Sequence, residues 1–512
     1  MTKRKQQNGE TMTIRQPIIT VLGHVDSGKT TFLDKVRGTA IAEKEAGAIT
    51  QHIGATEVPV ETIKKISGAL LQKYGFRLEI PGLLFIDTPG HEAFINLRKR
   101  GGSIADLAVV IVDISHGLQQ QTIEAIEILR GFRTPFIVGL NKIDRLYGYR
   151  SEHGSFSENI KLQPQQIQRE LDEKLYTIVG KLHELGFQSE RFDRCENFAK
   201  QVAIVPLSAR TGEGLPETLM LLAGLSQKFL KEKLVIHEGQ AGKGNVLEVR
   251  EEKGLGKTID VILFEGSLAV NDRIVLAGRH GTIESKVRAL LKPKPMEEIS
   301  HSKEKFLSVQ KVFAAAGVKI AAHDLEEALA GSPLMTLSQG NEHQLVSREI
   351  MGIRAESETN GPIIKADALG SLEAITLLLE SQLKLKPKKT DIGEVTRKDV
   401  MEIVGVKEKK PLNAVIFAFN VKPDEGAVEE AKKRDIKIFQ GNVIYRLLED
   451  FSEWEKAQKQ EEKTKRLGRL VFPAKIQLLP NHVFRNSKPA IVGIRVLKGK
   501  IRQETELSLI HI

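Results

Sequence analysis

Short runs of apolar residues alternate with longer amphipathic stretches between residues 16 and 232. The runs cover 18–22, 83–86, 107–112, 136–140 and 202–206. Continuous apolar runs of this length are typical of strands buried on both faces of a parallel sheet that helices flank. The pattern predicts an α/β domain over 16–232. The polar and basic residues 1–15 show no apolar period, and we predict a disordered lead-in there.

The pattern changes after residue 232. Short strand-like runs broken by glycines fill 233–345, which predicts an antiparallel β-barrel. Strand-like and helical stretches mix again over 346–444, with strands at 362–366, 414–420 and 437–440 and helices beginning near Ser371 and Gly426. This segment predicts a small α/β/α domain.

Residues 445–470 are highly charged, and proline is absent from them. Apolar residues such as Leu447, Phe451 and Trp454 give the first half one apolar face, whereas the second half is polar all round. We predict one long connecting helix, stabilised by pairs such as Glu455 with Lys459; the alternative is a frayed linker. Residues 471–512 have strand texture but are few for a β-domain, so we expect a partial, truncated β-barrel.

Composition adds limits on location and partners. The chain has 512 residues and a net charge of +10, and its apolar runs fall far short of the roughly 20 residues of a membrane span. The single cysteine, Cys195, forms no internal disulfide or metal-ligand cluster, and we expect it to be a small packing residue. These features favour a cytoplasmic protein that contacts no membrane. Aromatic residues make up only 5%, so the charge alone does not establish nucleic-acid binding.

A phosphate-binding loop follows the first apolar run. Residues 23–30 read Gly-His-Val-Asp-Ser-Gly-Lys-Thr, with the glycine spacing and the terminal Lys-Thr of the P-loop between a strand and a helix. Such a loop turns its backbone amides toward phosphates, Lys29 pairs with the β- and γ-phosphates, and the Thr30 hydroxyl binds Mg²⁺. We assign to the nucleotide site Gly23, Val25, Asp26, Ser27, Gly28, Lys29, Thr30 and Thr31. Residues 254–258 imitate the end of this motif, but Glu251 stands where its first glycine belongs, so we predict a barrel turn there.

Three further motifs follow predicted strands. Asp87 and Gly90, in Asp-Thr-Pro-Gly, suit a carboxylate that holds Mg²⁺ through water and an amide that meets the γ-phosphate. In Asn141-Lys142-Ile143-Asp144, Asp144 can accept two hydrogen bonds from guanine that adenine does not offer, Asn141 can contact the base edge, and Lys142 can cover the ring. In Ser208-Ala209-Arg210, the Ala209 amide can meet the guanine carbonyl. Four motifs in order at strand ends of an open α/β sheet predict a guanine nucleotide site.

With these motifs, the sequence resembles the translational GTPases, and more specifically archaeal initiation factor five-B and its bacterial relative, initiation factor two. The resemblance covers the chain from Pro17, and its most telling segments are 23–26, 46–55 and 87–91. The family order is a G domain, a β-barrel, an α/β/α domain, a long helix and a terminal β-barrel. Ser27 departs from the histidine of many relatives, which changes the charge of the loop.

The resemblance implies further roles. Thr50 is the switch I threonine that binds Mg²⁺, and His91 is the catalytic histidine that positions the hydrolytic water. Val25 screens that histidine, and Asp26 can hold a monovalent cation. Residues 146–200 resemble a family insertion, which we interpret as helical surface decoration without a chemical role; we interpret His52 and His116 as polar loop residues.

By the same resemblance, the chain is a GTPase that acts in translation initiation. It is expected to bind GTP or GDP with Mg²⁺, to hydrolyse GTP when the ribosome docks, and to promote joining of the ribosomal subunits. Its expected partners are ribosomal RNA, initiator methionyl-tRNA through the terminal barrel, and another initiation factor, and the chain is expected to be a monomer. Two alternatives are a tRNA-delivering elongation GTPase, which shares the nucleotide motifs, and a regulatory switch that binds GTP without measurable hydrolysis.

Overall fold

The structure is a computed structural model, and it forms two units, residues 1–447 and 448–512. The residues that it describes are 5–7, 10–42, 55–86, 98–99, 102–237, 240–252, 255–278, 281–293, 306–338, 340–353, 360–469, 474–487, 489, 491–499 and 501. Within them, no helix is both long enough and apolar enough to cross a bilayer.

A seven-stranded sheet forms the centre of the first region. The strands of this region are β1 (Lys5–Gln7), β2 (Glu10–Ile14), β3 (Ile18–Gly23), β4 (Ala55–Pro59), β5 (Gly82–Ile86), β6 (Arg98–Lys99), β7 (Gly102–Ser103), β8 (Leu107–Asp113), β9 (Phe136–Asn141), β10 (Gln188–Arg191), β11 (Gln201–Pro206) and β12 (Val235–His237). The central sheet has the order β10-β11-β9-β8-β3-β5-β4, and only β4 runs antiparallel to its neighbour. Every residue of β3, β5, β8 and β9 is buried, which explains their continuous apolar runs.

Helices of the first region pack around this sheet. They are α1 (Lys29–Ala42), α2 (Val60–Lys73), α3 (Gln120–Gly131), α4 (Phe156–Leu162), α5 (Gln165–Glu184) and α6 (Leu215–Leu230). In α5, the residues at positions 167, 171, 175, 178 and 182 are buried, a spacing that places one apolar stripe against the protein. Single 3₁₀ turns cover Ile143–Arg145 and Lys231–Leu234.

Two predictions for this region were wrong. The lead-in at 1–15 includes strands β1 and β2, because β2 pairs antiparallel with β12 and Ile14 lies opposite Val235. Its last residue, Arg15, forms a buried ion pair with Asp106 at 2.6 Å. The insertion at 146–200 is more than helical surface decoration, because β10 pairs in parallel with β11 and extends the central sheet. Both misses arise because these strands have no apolar run of their own and form only by pairing with other segments.

The second region is a closed β-barrel. Its strands are β13 (Lys243–Glu252), β14 (Gly256–Glu265), β15 (Ser267–Ala269), β16 (Arg273–Gly278), β17 (Gly281–Pro293), β18 (Phe306–Val309), β19 (Lys311–Phe313), β20 (Ala316–Ala322) and β21 (Pro333–Thr336). Six strands pair in the order β16-β21-β13-β14-β20-β17, and pairing of β17 with β16 closes the ring. Aliphatic side chains such as Val246, Val261 and Ile320 fill it. Lys257 and Thr258, the end of the imitation motif, lie in β14.

The third region is a smaller α/β domain. Its elements are α7 (Glu342–Ile353), β22 (Ile363–Ala366), α8 (Leu369–Leu378), β23 (Lys389–Ile392), α9 (Arg397–Lys407), β24 (Val415–Phe419), α10 (Glu425–Arg434) and β25 (Lys437–Gly441). The four strands are parallel in the order β23-β22-β24-β25. A capping box between Thr396 and Asp399 starts α9, and the Asp424 side chain caps α10.

A single long helix, α11 (Ile444–Arg469), follows β25, where the charged segment predicted one helix. Antiparallel strands β26 (Lys475–Arg485) and β27 (Ile491–Lys498) form a hairpin in the second unit. The predicted fold class, an α/β nucleotide-binding fold with a β-barrel and further domains, is confirmed.

Candidate functional site

Four loops meet at the carboxyl edge of the central sheet. Strand β3 ends at Gly23, β8 at Asp113, β9 at Asn141 and β11 at Pro206. The register aligns these ends, since Gly23 lies opposite Ile111, Asp113 opposite Asn141, and Pro206 opposite Leu140. Open α/β sheets bind ligands at this edge, so the predicted phosphate and guanine motifs share one site.

Two glycines allow the loop after β3 to form. Gly23 has φ of 142°, and a Cβ atom there would lie 2.3 Å from the carbonyl oxygen of Ile111. Gly28 has φ of 95°, and its Cβ would lie 2.3 Å from Nδ2 of Asn141. Both positions combine a backbone region that favours glycine with a close approach of other atoms. A larger residue at either position would separate the loop from the sheet or from Asn141.

The lysine of this loop lies half-buried at the start of α1. Lys29 Nζ donates hydrogen bonds to the carbonyl oxygens of Gly23 at 2.8 Å and His24 at 2.6 Å. Burial lowers the pKa of Lys29, an effect that Asp26 opposes. No carboxylate pairs with it among the described residues. Its charge is therefore met by carbonyl dipoles, and an anionic phosphate would interact with it more strongly.

A cavity of about 670 Å³ opens beside the loop, a typical size for a small-molecule site. Its lining consists of His24, Val25, Asp26, Ser27, Gly28, Lys29, Thr30, Thr31, Asp113, His116, Gly117, Gln119, Thr122, Lys142 and Arg145. The lining is mainly polar and includes the hydroxyls of Thr30 and Thr31. Burial and the nearby Lys29 lower the pKa of His24, which favours its neutral form. At the rim, the exposed Val25 donates its backbone N–H to Gln121 of α3 at 3.1 Å.

Asn141 joins three of the loops. Its Nδ2 donates to the Ser27 carbonyl oxygen at 2.8 Å, while its Oδ1 accepts from the amides of Lys142 at 2.8 Å and Ala209 at 2.9 Å. The side chain is almost completely buried. These bonds use the donor and the acceptor of the amide, so Asn141 holds the phosphate loop and the two predicted guanine loops in one arrangement.

Lys142 connects the phosphate loop to the end of β8. Its Nζ donates to the carbonyl oxygen of Asp26 at 2.6 Å and to Asp113 Oδ2 at 2.7 Å. Although burial acts in the opposite direction, hydrogen bonds from Lys142, Ser115 and His116 lower the pKa of Asp113. The two bonds fix the end of the Lys142 side chain and leave its aliphatic stem beside the cavity.

Sequence reasoning missed Asp113. The signal was present, because Asp113 ends a fully buried strand at the same edge as Asn141. A polar residue after a buried parallel strand was the pattern that identified the other motifs. His116, which we interpreted as a polar loop residue, lies 3.3 Å from Asp113 and lines the cavity.

A hydrogen bond joins Asp144 to Ser208 on the neighbouring loop. Asp144 Oδ1 accepts a hydrogen bond from the Ser208 hydroxyl at 2.7 Å, and the same hydroxyl oxygen accepts from the Thr211 amide at 3.2 Å. Ala209 is buried and Arg210 is exposed. The Asp144 carboxylate keeps lone pairs that can accept further hydrogen bonds, whereas the Ala209 amide on the neighbouring loop already donates to Asn141 Oδ1.

Residues of the insertion at 146–200 contact the loop that carries Ser208 through Glu213. The buried Glu213 carboxylate accepts hydrogen bonds from Tyr149 Oη at 2.5 Å, Ser151 Oγ at 2.5 Å and Asn159 Nδ2 at 2.9 Å. Its backbone carbonyl accepts from the Ser208 amide at 2.9 Å. Burial raises the pKa of Glu213 in spite of these hydrogen bonds. Cys195, also in the insertion, has its pKa raised to about 12 by burial, which suits an unreactive thiol.

Four predicted site residues, Thr50, Asp87, Gly90 and His91, lie outside the described residues. Of the predicted site residues that it describes, the structure brings together the phosphate loop, Asn141, Lys142, Asp144, Ser208 and Ala209. It describes one predicted Mg²⁺ ligand, Thr30, in the cavity wall. No cluster of three His, Cys, Asp or Glu residues suitable for a metal occurs within the described ranges.

Comparisons with known proteins match both the site and the regions around it. Models of three families match the chain: the elongation factor Tu GTP binding domain over 15–231, translation-initiation factor 2 over 338–452, and elongation factor Tu domain 4 over 472–510. A probable translation initiation factor IF-2 from Thermococcus onnurineus is 53% identical over 496 residues, which are 96% of this chain and 83% of that protein.

A second relative and one solved structure agree. A probable translation initiation factor IF-2 from Methanobrevibacter smithii is 48% identical over 97% of this chain and 84% of its own length. The crystal structure of GDP-bound aIF5B from Aeropyrum pernix superposes with a TM-score of 0.86 at 47% identity. The superposed region covers 96% of this chain and 82% of the Aeropyrum pernix chain.

Proposed function

Because the chain belongs to the family of translation initiation factor IF-2 and aIF5B, we propose which of its residues bind and hydrolyse GTP and what this reaction does on the ribosome. Members of this family are GTPases of translation initiation, so the chain is a GTP-hydrolysing initiation factor that binds GTP or GDP with Mg²⁺. The elongation-type alternative is less supported, since a translation-initiation factor 2 model matches 338–452.

The observation that carries the residue assignment is the position of Asn141. Its amide bonds to Ser27, Lys142 and Ala209, so it ties the phosphate loop to both guanine loops around one cavity. We assign guanine recognition to Asp144, which accepts from the base N1–H and exocyclic amine, and to the Ala209 amide, which exchanges its bond to Asn141 Oδ1 for one to the base carbonyl when the nucleotide binds. Lys142 covers the ring, while Ser208 and Arg210 complete the loop.

The phosphate groups lie along the loop at 23–31 in this proposal. Backbone amides and Lys29 bind the β- and γ-phosphates and stabilise the charge that develops during hydrolysis. The donor set fits Mg²⁺, because Thr30 and Thr50 offer hydroxyls and Asp87 a carboxylate that acts through water, all of them oxygen ligands. When bound, Mg²⁺ neutralises charge on the transferring phosphoryl group. We further propose that Asp26 holds a monovalent cation and that the Gly90 amide meets the γ-phosphate.

The proposed catalytic residue is His91, which positions the attacking water. Val25 screens His91 until the ribosome docks, so hydrolysis by the free protein is slow and ribosome contact accelerates it. An initiation factor acts with the ribosome and initiator tRNA. The finer proposal is that GTP binding promotes subunit joining and that hydrolysis releases the factor. Residues from 471 onward contact the acceptor end of initiator tRNA, and another initiation factor is a further partner.

Phosphate release in the presence and absence of archaeal ribosomal subunits tests this function. We expect the subunits to accelerate hydrolysis by the wild type, and His91→Ala to retain GTP affinity while losing the acceleration. His153→Ala, at an exposed histidine of the same region, is the matched control and should behave as wild type. A wild type without stimulation would contradict ribosome-coupled hydrolysis. Equal affinity for ATP and GTP would contradict the guanine assignment.

A further inference from the structure

Tyr147 is the most exposed of the large hydrophobic side chains that the structure describes. Its exposed fraction is 93%, compared with 74% for Phe484, the next highest value. Single exposed apolar residues are common on protein surfaces, so exposure alone assigns no role. The local structure around Tyr147 distinguishes it, because the chain on both sides is firmly held.

A tight turn places the ring outside. The Tyr149 amide donates to the Leu146 carbonyl oxygen at 3.1 Å, which closes a β-turn with Tyr147 and Gly148 at its corners. Gly148 has φ of 80°, as the third residue of a type II turn requires. Leu146 and Tyr149, at the ends of the turn, are buried, and Tyr147 between them points to solvent.

Hydrogen bonds anchor the residues that follow the turn. Tyr149 donates to the buried Glu213, and the Arg150 carbonyl oxygen accepts from Asn159 Nδ2 and Gln163 Nε2, both at 2.8 Å. The Arg150 amide donates to Gln163 Oε1 at 3.1 Å. The backbone of Arg150 is therefore held from two sides by side chains of the insertion. A fixed backbone lowers the entropy lost when a partner binds Tyr147.

Positive charge flanks the ring. Arg145 and Arg150 are exposed on either side of the turn, and within the described ranges neither guanidinium is paired with a carboxylate. An exposed aromatic ring between two arginines combines a stacking surface for a base with cations for the adjacent phosphates. Single-stranded RNA has both chemical features, whereas the bases of a duplex are already stacked.

We propose that residues 145–150, the Tyr147 loop, bind an unpaired segment of RNA. A base stacks on the Tyr147 ring, and Arg150 contacts a phosphate beside it. Arg145 lines the nucleotide cavity as well, so it joins the two surfaces. The interaction requires no hydrolysis, and a chain that failed every test of GTP turnover could still bind RNA through this loop.

A fluorescent residue at position 147 tests the contact directly. In a full chain with Trp454→Phe, which removes the single native tryptophan, Tyr147→Trp places a reporter in the turn. Tyr176→Trp is the matched control, since Tyr176 is also exposed but hydrogen-bonded to Glu190 and Arg194. We expect an unpaired twelve-nucleotide adenine RNA to quench the reporter at 147 saturably and to leave the one at 176 unchanged. The same RNA in a duplex should quench neither.

Affinity measurements separate stacking from charge. Fluorescence anisotropy with a labelled form of the same RNA measures the affinity. Tyr147→Ala should weaken RNA binding about 10-fold, whereas the affinity of Tyr147→Phe should stay within about 2-fold of the wild type because this variant keeps the ring. Arg150→Gln should weaken binding and lower the slope of log K against log salt by about 0.7, as for one phosphate of a single strand. GTP affinity should not change in Tyr147→Ala.

Three results would overturn the proposal. The first is equal quenching at positions 147 and 176, or none at 147. The second is wild-type RNA affinity in Tyr147→Ala. The third is quenching at 147 by RNA-free ribosomal proteins but not by the RNA, which would assign the loop to a protein partner instead.

Discussion

Two mainly parallel sheets occur among the described residues, and a buried or half-buried lysine lies in or directly after a strand of each, but different groups balance the two charges. Lys29, after β3, donates to the carbonyl oxygens of Gly23 and His24. Lys365, in β22, has an exposed fraction of only 4% and lies 2.9 Å from Asp391 and 3.2 Å from Asp399. The first lysine meets dipoles, and the second meets full negative charges.

This difference distinguishes the proposed phosphate site around Lys29 from a structural network around Lys365. Asp399 also forms an ion pair with Lys389, whose Nζ lies 3.1 Å from Asp399 Oδ1, so the charges around Lys365 are balanced within the chain. Although burial acts in the opposite direction, hydrogen bonds from Thr396 and Lys389 and the charge of Lys365 lower the pKa of Asp399. A balanced cluster gives little to an added anion, whereas the Lys29 loop presents a positive charge and amides beside an open cavity.

The carboxyl edge of the smaller sheet strengthens this conclusion. Asp367 follows β22 and accepts from Ser371 at 2.9 Å, and Asn420 follows β24 and donates to Asp367 at 3.4 Å. The same topological rule brings polar residues together there, but their charge is negative and their hydrogen bonds close on one another. Position at a sheet edge is therefore insufficient, and the sign of the charge decides whether the edge suits phosphate.

The largest expected effect is on nucleotide binding. Lys29→Ala should weaken GTP and GDP binding by about 1,000-fold, or about 4 kcal/mol, because a desolvated charge pair with phosphate is lost. Calorimetric titration with GDP measures the change. Lys365→Ala serves as the contrast. Under conditions in which this variant is folded, it should bind GDP with the affinity of the wild type. Equal losses in the two variants would remove the distinction between the two lysines.

The second effect is on stability. Lys365→Ala should lower the free energy of unfolding of the smaller α/β domain by about 3 kcal/mol, because Asp399 and Asp391 lose a buried cation. Urea unfolding followed by circular dichroism measures it. Lys388→Ala, which removes a more exposed lysine 4.0 Å from Glu402, should cost less than about 1 kcal/mol. A similar small cost for Lys365→Ala would contradict the structural role of the cluster.

The third and smallest expected effect concerns a buried carboxylate, whose charge is opposite to that of the two lysines. Glu124, in α3, is completely buried, and burial raises its pKa to about 8, an effect that the backbone of Ile444 at the start of α11 opposes. The folded chain thus binds this proton more tightly than the unfolded chain, so stability falls as pH rises above about 4.5.

Between pH 6 and 8, the wild type should lose roughly 2 kcal/mol of stability relative to Glu124→Gln, which stays neutral. Urea midpoints at four pH values across this window measure the loss. Glu127→Gln, on the next turn of α3, is the matched control and should follow the wild type. Parallel pH profiles for wild type and Glu124→Gln would show that Glu124 does not titrate in this range.

Patterns along the chain predicted the elements whose burial is local. The apolar runs located β3, β5, β8, β9 and β11, and the charged segment located α11, because burial on two faces or a helical period leaves a direct mark on the residues. The loop motifs, each of which follows a buried strand, located residues that the structure brings to one edge of the sheet, and their roles toward phosphate and guanine stay predictions. The roles of His91 and Thr50, which lie outside the described residues, stay predictions.

Elements that form only by pairing with another segment were not predictable in this way. Strand β10 is an edge strand of sequence Gln-Ser-Glu-Arg and becomes a strand only by pairing with β11. Strand β2 depends on β12, more than 200 residues away. Asp113 obtains its role from Lys142, which reaches it across the site. In each case, the partner is set by tertiary structure and leaves no periodic signal.

The three hydrogen bonds of Asn141 have a consequence for protein engineering. A designer who wants this scaffold to accept a different base would change the loops at 141–144 and 208–210. Because Asn141 also donates a hydrogen bond to the Ser27 carbonyl oxygen, changes at Asn141 also alter the phosphate loop. In the proposed assignment, base choice and phosphate affinity are therefore coupled through Asn141, and a redesign that keeps Asn141 and varies Asp144 would alter the base contact without removing the bond to Ser27.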